Sequence, residues 1–170
     1  MQLISARIDM RRKSFNDMAC GIARSLEVLG DGWTFLIMRE AMFGTQSFDA
    51  FCDNLGIARN TLTSKLNELV DAGLLSRADD PMDKRRKIYQ LEECGRELWV
   101  VLLALQQWGN KWVCAENGAP SFMADRISGK PVASLKVFDK SGRNLEFEDI
   151  QMIPGPSATE QLKDKFAKLK

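Results

Sequence analysis

Apolar residues recur at helical spacing along the first two thirds of the chain, and glycines punctuate them. In residues 18–29, Ile22, Leu26 and Leu29 stand four and three apart, which predicts one face of a helix that Gly30 ends. Asp31 sits where an N-cap belongs. Residues 33–43 follow, and their run Phe35, Leu36, Ile37, Met38 before Arg39 and Glu40 predicts a mostly buried helix closed by Gly44 and Thr45. Ser47 is the expected cap of a third helix, 48–55, with Phe48, Phe51 and Leu55 on one side and Gly56 as its breaker. Residues 59–72 carry Leu62, Leu66, Leu69 and Val70 as a buried stripe, and Gly73 takes the position past the helix end where a left-handed residue is wanted.

The period then changes. Residues 74–78 and 87–91 read as short strands around a turn-rich stretch, Asp79 to Arg86, with a basic tip. Helix, turn, helix and basic hairpin is the order of a winged helix. Residues 93–116 read as one long helix, roughly 36 Å at 1.5 Å per residue. It is apolar around most of its circumference, which requires burial on both sides, so a homodimer is expected there through Leu98, Val101, Leu102, Leu105, Trp108 and Trp112. Beyond Gly118 and Pro120, residues 132–138 and 144–153 suggest a hairpin with a break near Asp149. Ser157 with Glu160 suggests a capping box for a last helix bearing Ala158, Leu162, Phe166 and Leu169. The expected fold is mainly α with a small β wing: a winged helix-turn-helix, a long C-terminal dimerisation helix and an α+β tail. Its expected divisions are an arm (1–13), a DNA-binding domain (14–92), the dimerisation helix (93–116) and an extension (117–170).

Composition narrows the chemistry. The 170 residues contain 24 Lys+Arg against 23 Asp+Glu and no histidine. Without histidine there is no Ser-His-Asp or Cys-His nucleophile pair and no imidazole metal ligand, so a conventional hydrolase is not expected, nor any other enzyme. Cys20, Cys52, Cys94 and Cys114 form no CxxC pair; neither a metal site nor a disulfide framework is expected, no cofactor is called for, and a reducing, cytoplasmic compartment is. The longest apolar run, residues 98–105, is too short to span a bilayer. The formal net charge of +1 argues against a uniform basic coat, but position matters more than the total. Lys84, Arg85, Arg86 and Lys87 are adjacent. The polar face of residues 59–72 presents Arg59, Asn60, Thr63, Ser64, Lys65 and Asn67, side chains that reach base edges and phosphates.

Fragments spread from Ser14 to Ala115 resemble the HxlR family of bacterial winged-helix transcriptional regulators, which is related to the MarR group. They include Cys20-Gly21-Ile22-Ala23-Arg24, Gly30-Asp31-Gly32-Trp33-Thr34, Gly56-Ile57-Ala58-Arg59-Asn60, Ala72-Gly73-Leu74, Tyr89-Gln90-Leu91 and Trp108-Gly109. The chain departs from the family pattern at Gly21, where proline is usual, and at Glu92, where threonine is usual. No cysteine follows Cys114, so a tail metal site is not expected. The resemblance implies a dimeric repressor on a pseudo-palindromic operator. Asn60, Thr63, Ser64 and Asn67 would then meet bases or sugar-phosphate, Arg59 and Lys65 phosphate or guanine, and the wing cations the neighbouring backbone. The alternative is a winged-helix scaffold that binds another protein.

The resemblance also makes Cys20 a candidate oxidant or electrophile sensor, with Cys52 as a resolving partner. Its other reading is a small packing residue. Trp33, Trp99, Trp108 and Trp112 could line an effector pocket or belong to the core.

Overall fold

The computed structural model describes residues 14, 15, 17–114, 116 and 118–168. The expected arm 1–13, with Arg11, Arg12 and Lys13, lies outside the described residues, as does Leu169. Four helices come first: α1 (Gly21–Leu29), α2 (Gly32–Met42), α3 (Phe48–Leu55) and α4 (Arg59–Asp71). A two-stranded antiparallel wing follows, β1 (Leu75–Asp79) with β2 (Lys87–Leu91), then α5 (Glu93–Glu97) and α6 (Trp99–Trp112). The tail holds β3 (Val137–Phe138), β4 (Asn144–Leu145), a 3-10 turn at Phe147–Asp149 and α7 (Glu160–Ala167).

The helix ends follow the expected chemistry. Asp31 Oδ1 accepts from the backbone N–H of Trp33 (2.7 Å) and Thr34 (3.4 Å) and so starts α2. Ser47 Oγ accepts from Ala50 N and starts α3, which ends at Gly56 with φ +61°. At the end of α4, Gly73 (φ +70°) donates to Val70 O and Leu74 donates to Leu69 O, the paired bonds of a Schellman motif. That motif uses the Leu74 N–H, which is why β1 starts at Leu75 and not at Leu74. One ladder contact has no sequence signal: Tyr89 N donates to Gln46 O, and Ser47 bridges Ile88, so the turn before α3 lies along β2.

Ile37, Met38, Phe51, Leu62, Leu66, Leu69 and Leu75 are fully buried and join α2, α3, α4 and β1 in one core. Each such side chain contributes roughly 1.5–3 kcal/mol over leaving it in water. Phe51 and Tyr89 meet edge to face, with centroids 6.4 Å apart. The buried Glu40 carboxylate accepts from Arg39 (2.8 Å), Thr45 Oγ1 (3.3 Å) and Asn54 Nδ2 (3.0 Å), which ties the α2–α3 turn together.

Four expectations are corrected. The helix expected over 93–116 is two helices: it turns tightly at Leu98 (ψ −8°) and ends at Trp112. Gly95 lies against the base of the wing, where an added Cβ would stand 2.1 Å from the Leu74 carbonyl oxygen. There α5 is clamped to the base of the wing, with Arg96 Nη1 donating to Leu91 O, while α6 packs against α2. On α1, Ala23 and Leu29 are buried but Ile22 and Leu26 are exposed, so the three residues read from spacing as one face are split: Leu29 enters the chain's own core and the other two face away from it. The tail strands shrink to two residues each because Asp139 gathers the backbone of Ser141 and Arg143 in the turn and Phe147–Asp149 coils immediately after β4. Finally, α7 is capped by Thr159 Oγ1 on Leu162 N, because the turn closed by Ala158 N on Gly155 O leaves Ser157 outside the helix.

Candidate nucleic-acid interface

The stripe Leu62, Leu66 and Leu69 buries one side of α4, and this orients the other side outward. Arg59, Asn60, Thr63, Ser64 and Asn67 are all exposed. Arg59 stands in the first turn with its guanidinium 4.7 Å above the Phe48 ring and 2.8 Å from Asp49 Oδ1, both on α3. That geometry holds a charged fork at the N-terminal end of α4. Thr63 Oγ1 donates to Arg59 O, Ser64 Oγ donates to Glu68 Oε1, and Asn67 Oδ1 accepts from Arg77 Nη1 on β1.

Lys65 is placed differently from its neighbours. The expectation for it is phosphate or guanine, but its ammonium lies 3.1 Å from Asp31 Oδ2 and 2.7 Å from Glu68 Oε2, and its side chain is 17% exposed.

The wing tip is ordered by its own acids. Asp80 Oδ1 accepts from Met82 N, and Asp80 N donates to Arg86 O. Asp83 accepts from the Arg85 backbone N–H and guanidinium and lies 3.7 Å from Arg86 Nε; its carboxyl is held below the usual range first by the Arg85 side chain. Lys87 pairs with Asp79 across the hairpin. Lys84, Arg85, Arg86 and Lys87 are exposed, so these pairs are screened by solvent, weak, and can be exchanged for phosphates.

Sequence reading missed Asp49, Glu68 and Arg77. Glu68 was visible at helical spacing from Ser64 and Lys65. Asp49 and Arg77 meet α4 only through the packing of separate elements.

On α6, Val101, Leu105, Trp108 and Trp112 form an exposed stripe. Leu102 instead enters the chain's own core and Leu98 packs against it, because α6 turns that side toward α2. The four cysteines are free thiols: Cys20 is half-buried at the N-cap of α1, Cys52 is half-buried against the core, and Cys94 donates to Gly73 O. Trp33 packs against the core and Trp99 is exposed. Trp108 and Trp112 line an open cavity of about 570 Å³ between α6 and the tail; Trp108 also borders one of about 380 Å³ with Phe35, Leu36 and Arg39 of α2. The side-chain amides of Gln106, Gln107 and Asn110 on α6 bond the tail at Ser121, Met123, Ala133 and Leu135, which fixes the tail walls of these cavities. Among the described residues no helix is long and apolar enough to cross a membrane.

A helix-turn-helix whose second helix shows a polar outer face, followed directly by a basic two-stranded wing, defines a winged-helix DNA-binding protein. Residues 28–117 match the HxlR-like helix-turn-helix family model, and the chain belongs to that family. It is 35% identical over 135 residues to Rv3095 of Mycobacterium tuberculosis (strain ATCC 25618 / H37Rv), named as an uncharacterized HTH-type transcriptional regulator; the match covers 79% of this chain and 85% of that protein. Among solved structures it is similar to PA1607, described as a transcription factor candidate, with a TM-score of 0.79 at 34% identity over 84% of this chain and all of that one. It is also similar to PA1374 of Pseudomonas aeruginosa, likewise described, with a TM-score of 0.62 at 38% identity over 86% and 99%. The reduced form of the redox regulator HypR matches at a TM-score of 0.50 and 25% identity, over 57% of this chain and 99% of that one. The chain is a DNA-binding transcriptional regulator.

Proposed function

We propose that two copies of the chain bind a pseudo-palindromic operator as a repressor. Each copy lays α4 in a major groove and its wing along the flanking backbone, so that half-site spacing follows the dimer. Arg59, Asn60, Thr63, Ser64 and Asn67 meet bases or sugar-phosphate, and Lys84, Arg85, Arg86 and Lys87 hold the register on phosphates. The observation that carries the reading is the placement of α4: its leucines are buried in the core while its short polar face stands clear beside the wing. The second copy is the expected cover for the exposed stripe Val101, Leu105, Trp108 and Trp112, with Ile22 and Leu26 of α1 adding apolar surface.

Release from DNA is assigned to a small molecule or a thiol-reactive signal. The likeness to HypR favours a thiol signal, with Cys20 as the sensing group and Cys52 as a candidate resolving partner if the two Cα atoms of a dimer come within about 7 Å. Footprinting with the full chain on duplexes enriched from a random library is expected to protect two half-sites one helical turn apart, and diamide to abolish the footprint. A chain that protects no duplex at low salt overturns the operator reading. Release by diamide that persists in Cys20→Ser overturns the sensor assignment alone.

A further inference from the structure

The ion pair at Lys65 joins two elements at their most informative points. Asp31 uses one carboxylate oxygen, Oδ1, to cap the first turn of α2, and the other, Oδ2, to meet Lys65 Nζ at 3.1 Å. Glu68, one turn further along α4, holds the same ammonium at 2.7 Å and takes the Ser64 hydroxyl on its other oxygen. Burial pushes the Lys65 ammonium toward release of its proton, but Glu68 and Asp31 outweigh it and hold the pKa above the ordinary lysine value. A cation held by two carboxylates, with 17% of its side chain exposed, is poorly placed for DNA. Moving it to a phosphate would leave Asp31 and Glu68 without their cation and bring a third negative group toward them.

We propose that Lys65 is a positioning residue and not a DNA contact. Its pair with Asp31 fixes α4 against the N-terminus of α2 and thereby aims Arg59, Asn60 and Thr63, the side chains of the first α4 turns, at the groove. This inference rests on the operator-binding reading. It adds that the α1–α2 joint is mechanically linked to the reading helix: Asp31 follows Gly30 directly at the end of α1, so a displacement there is felt at α4.

Salt dependence separates positioning from contact. Taking one cation away from a phosphate lowers the slope of log affinity against log salt by about 0.9, whereas misaiming a helix does not. The probes are a duplex enriched by the parent chain from a random library and an unselected duplex of mixed sequence. Lys65→Met keeps the methylene stem without the charge. It is expected to weaken the enriched duplex about tenfold, a loss within the range of coupled side-chain pairs, with unchanged salt slope and unchanged binding to the unselected duplex. Asp31→Asn retains a capping oxygen and is expected to give the same loss. The double variant should lose no more than either single one, and Lys65→Arg should restore most of the affinity while reporting on folding.

A slope reduced by about 0.9 with both duplexes weakened, or losses that add in the double variant, would overturn the proposal. So would parent-like selectivity in Lys65→Met. A parent chain that enriches no duplex fails the operator reading and this inference with it. That failure shows in the parent, whereas failure of the positioning role alone shows only in the variants.

Discussion

At the scale of single residues, Asp31 carries more than its position as a helix cap suggests. Burial raises its carboxyl pKa, but the Lys65 ammonium and the backbone N–H groups of Trp33 and Thr34 outweigh this and hold it below its ordinary value of 3.8. A carboxylate whose folded pKa is depressed contributes stability above its unfolded pKa, and that stability is lost as the pH falls through the folded value. The melting temperature of the chain is therefore expected to drop as the pH is lowered through and below about 4. Asp31→Asn, which has no carboxyl to titrate, should show a smaller part of that drop; identical acid profiles for the two chains would remove Asp31 as a cause. The cap was visible in the sequence because Asp before a helical run has a local meaning. The Lys65 pair was not, because it joins residues 34 positions apart that only folding brings together.

At the scale of elements, glycine punctuation and apolar spacing located α2, α3, α4 and the wing closely. Each of these obeys local rules, and the Schellman motif at Gly73 accounts for the single-residue shift of β1. The apolar periodicity of 93–116 runs unbroken through Leu98, and nothing local reveals that α5 is held at the base of the wing while α6 packs against α2. The tail hairpin was overextended for the opposite reason: its alternation is real, but hydrogen bonds centred on Asp139 and Asp149 coil the backbone and leave two-residue strands. The wing is an element whose function can be read separately. Replacing Arg85 and Arg86 by alanine is expected to weaken binding to all duplexes alike and to flatten the salt slope by about 0.9 for each phosphate no longer neutralised. An unchanged slope would assign the basic tip to solvent.

At the scale of the whole molecule, a near-zero net charge conceals an uneven distribution. The basic tip of the wing is partly compensated by Asp79 and Asp83, so nonspecific DNA affinity should be modest and paired half-sites correspondingly important. The proposed pairing would use the exposed apolar stripe of α6, and it is open to direct measurement. Leu105→Asp places a charge in the middle of that stripe, and sedimentation is expected to show a monomer with reduced affinity for a two-half-site duplex. A Leu105→Asp chain that remains a dimer would move the interface elsewhere.

The winged-helix order, the capping residues and the polar composition of the α4 face are written locally in the chain, because caps, glycine breaks and apolar periods act within a few residues. Family membership was also legible there, in the order and spacing of short fragments. Packing between elements sets which apolar stripes are covered and which cations are enclosed by carboxylates. Ile22, Leu26 and Leu102 have similar periodicity, yet packing exposes the first two and buries the third. Arg59 and Lys65 have the same charge and lie on the same helix, yet one stands exposed above Phe48 with a surface pair to Asp49 and the other is held half-buried between Asp31 and Glu68. Burial and ion pairing depend on distances between elements, and those distances exist only once the helices have packed.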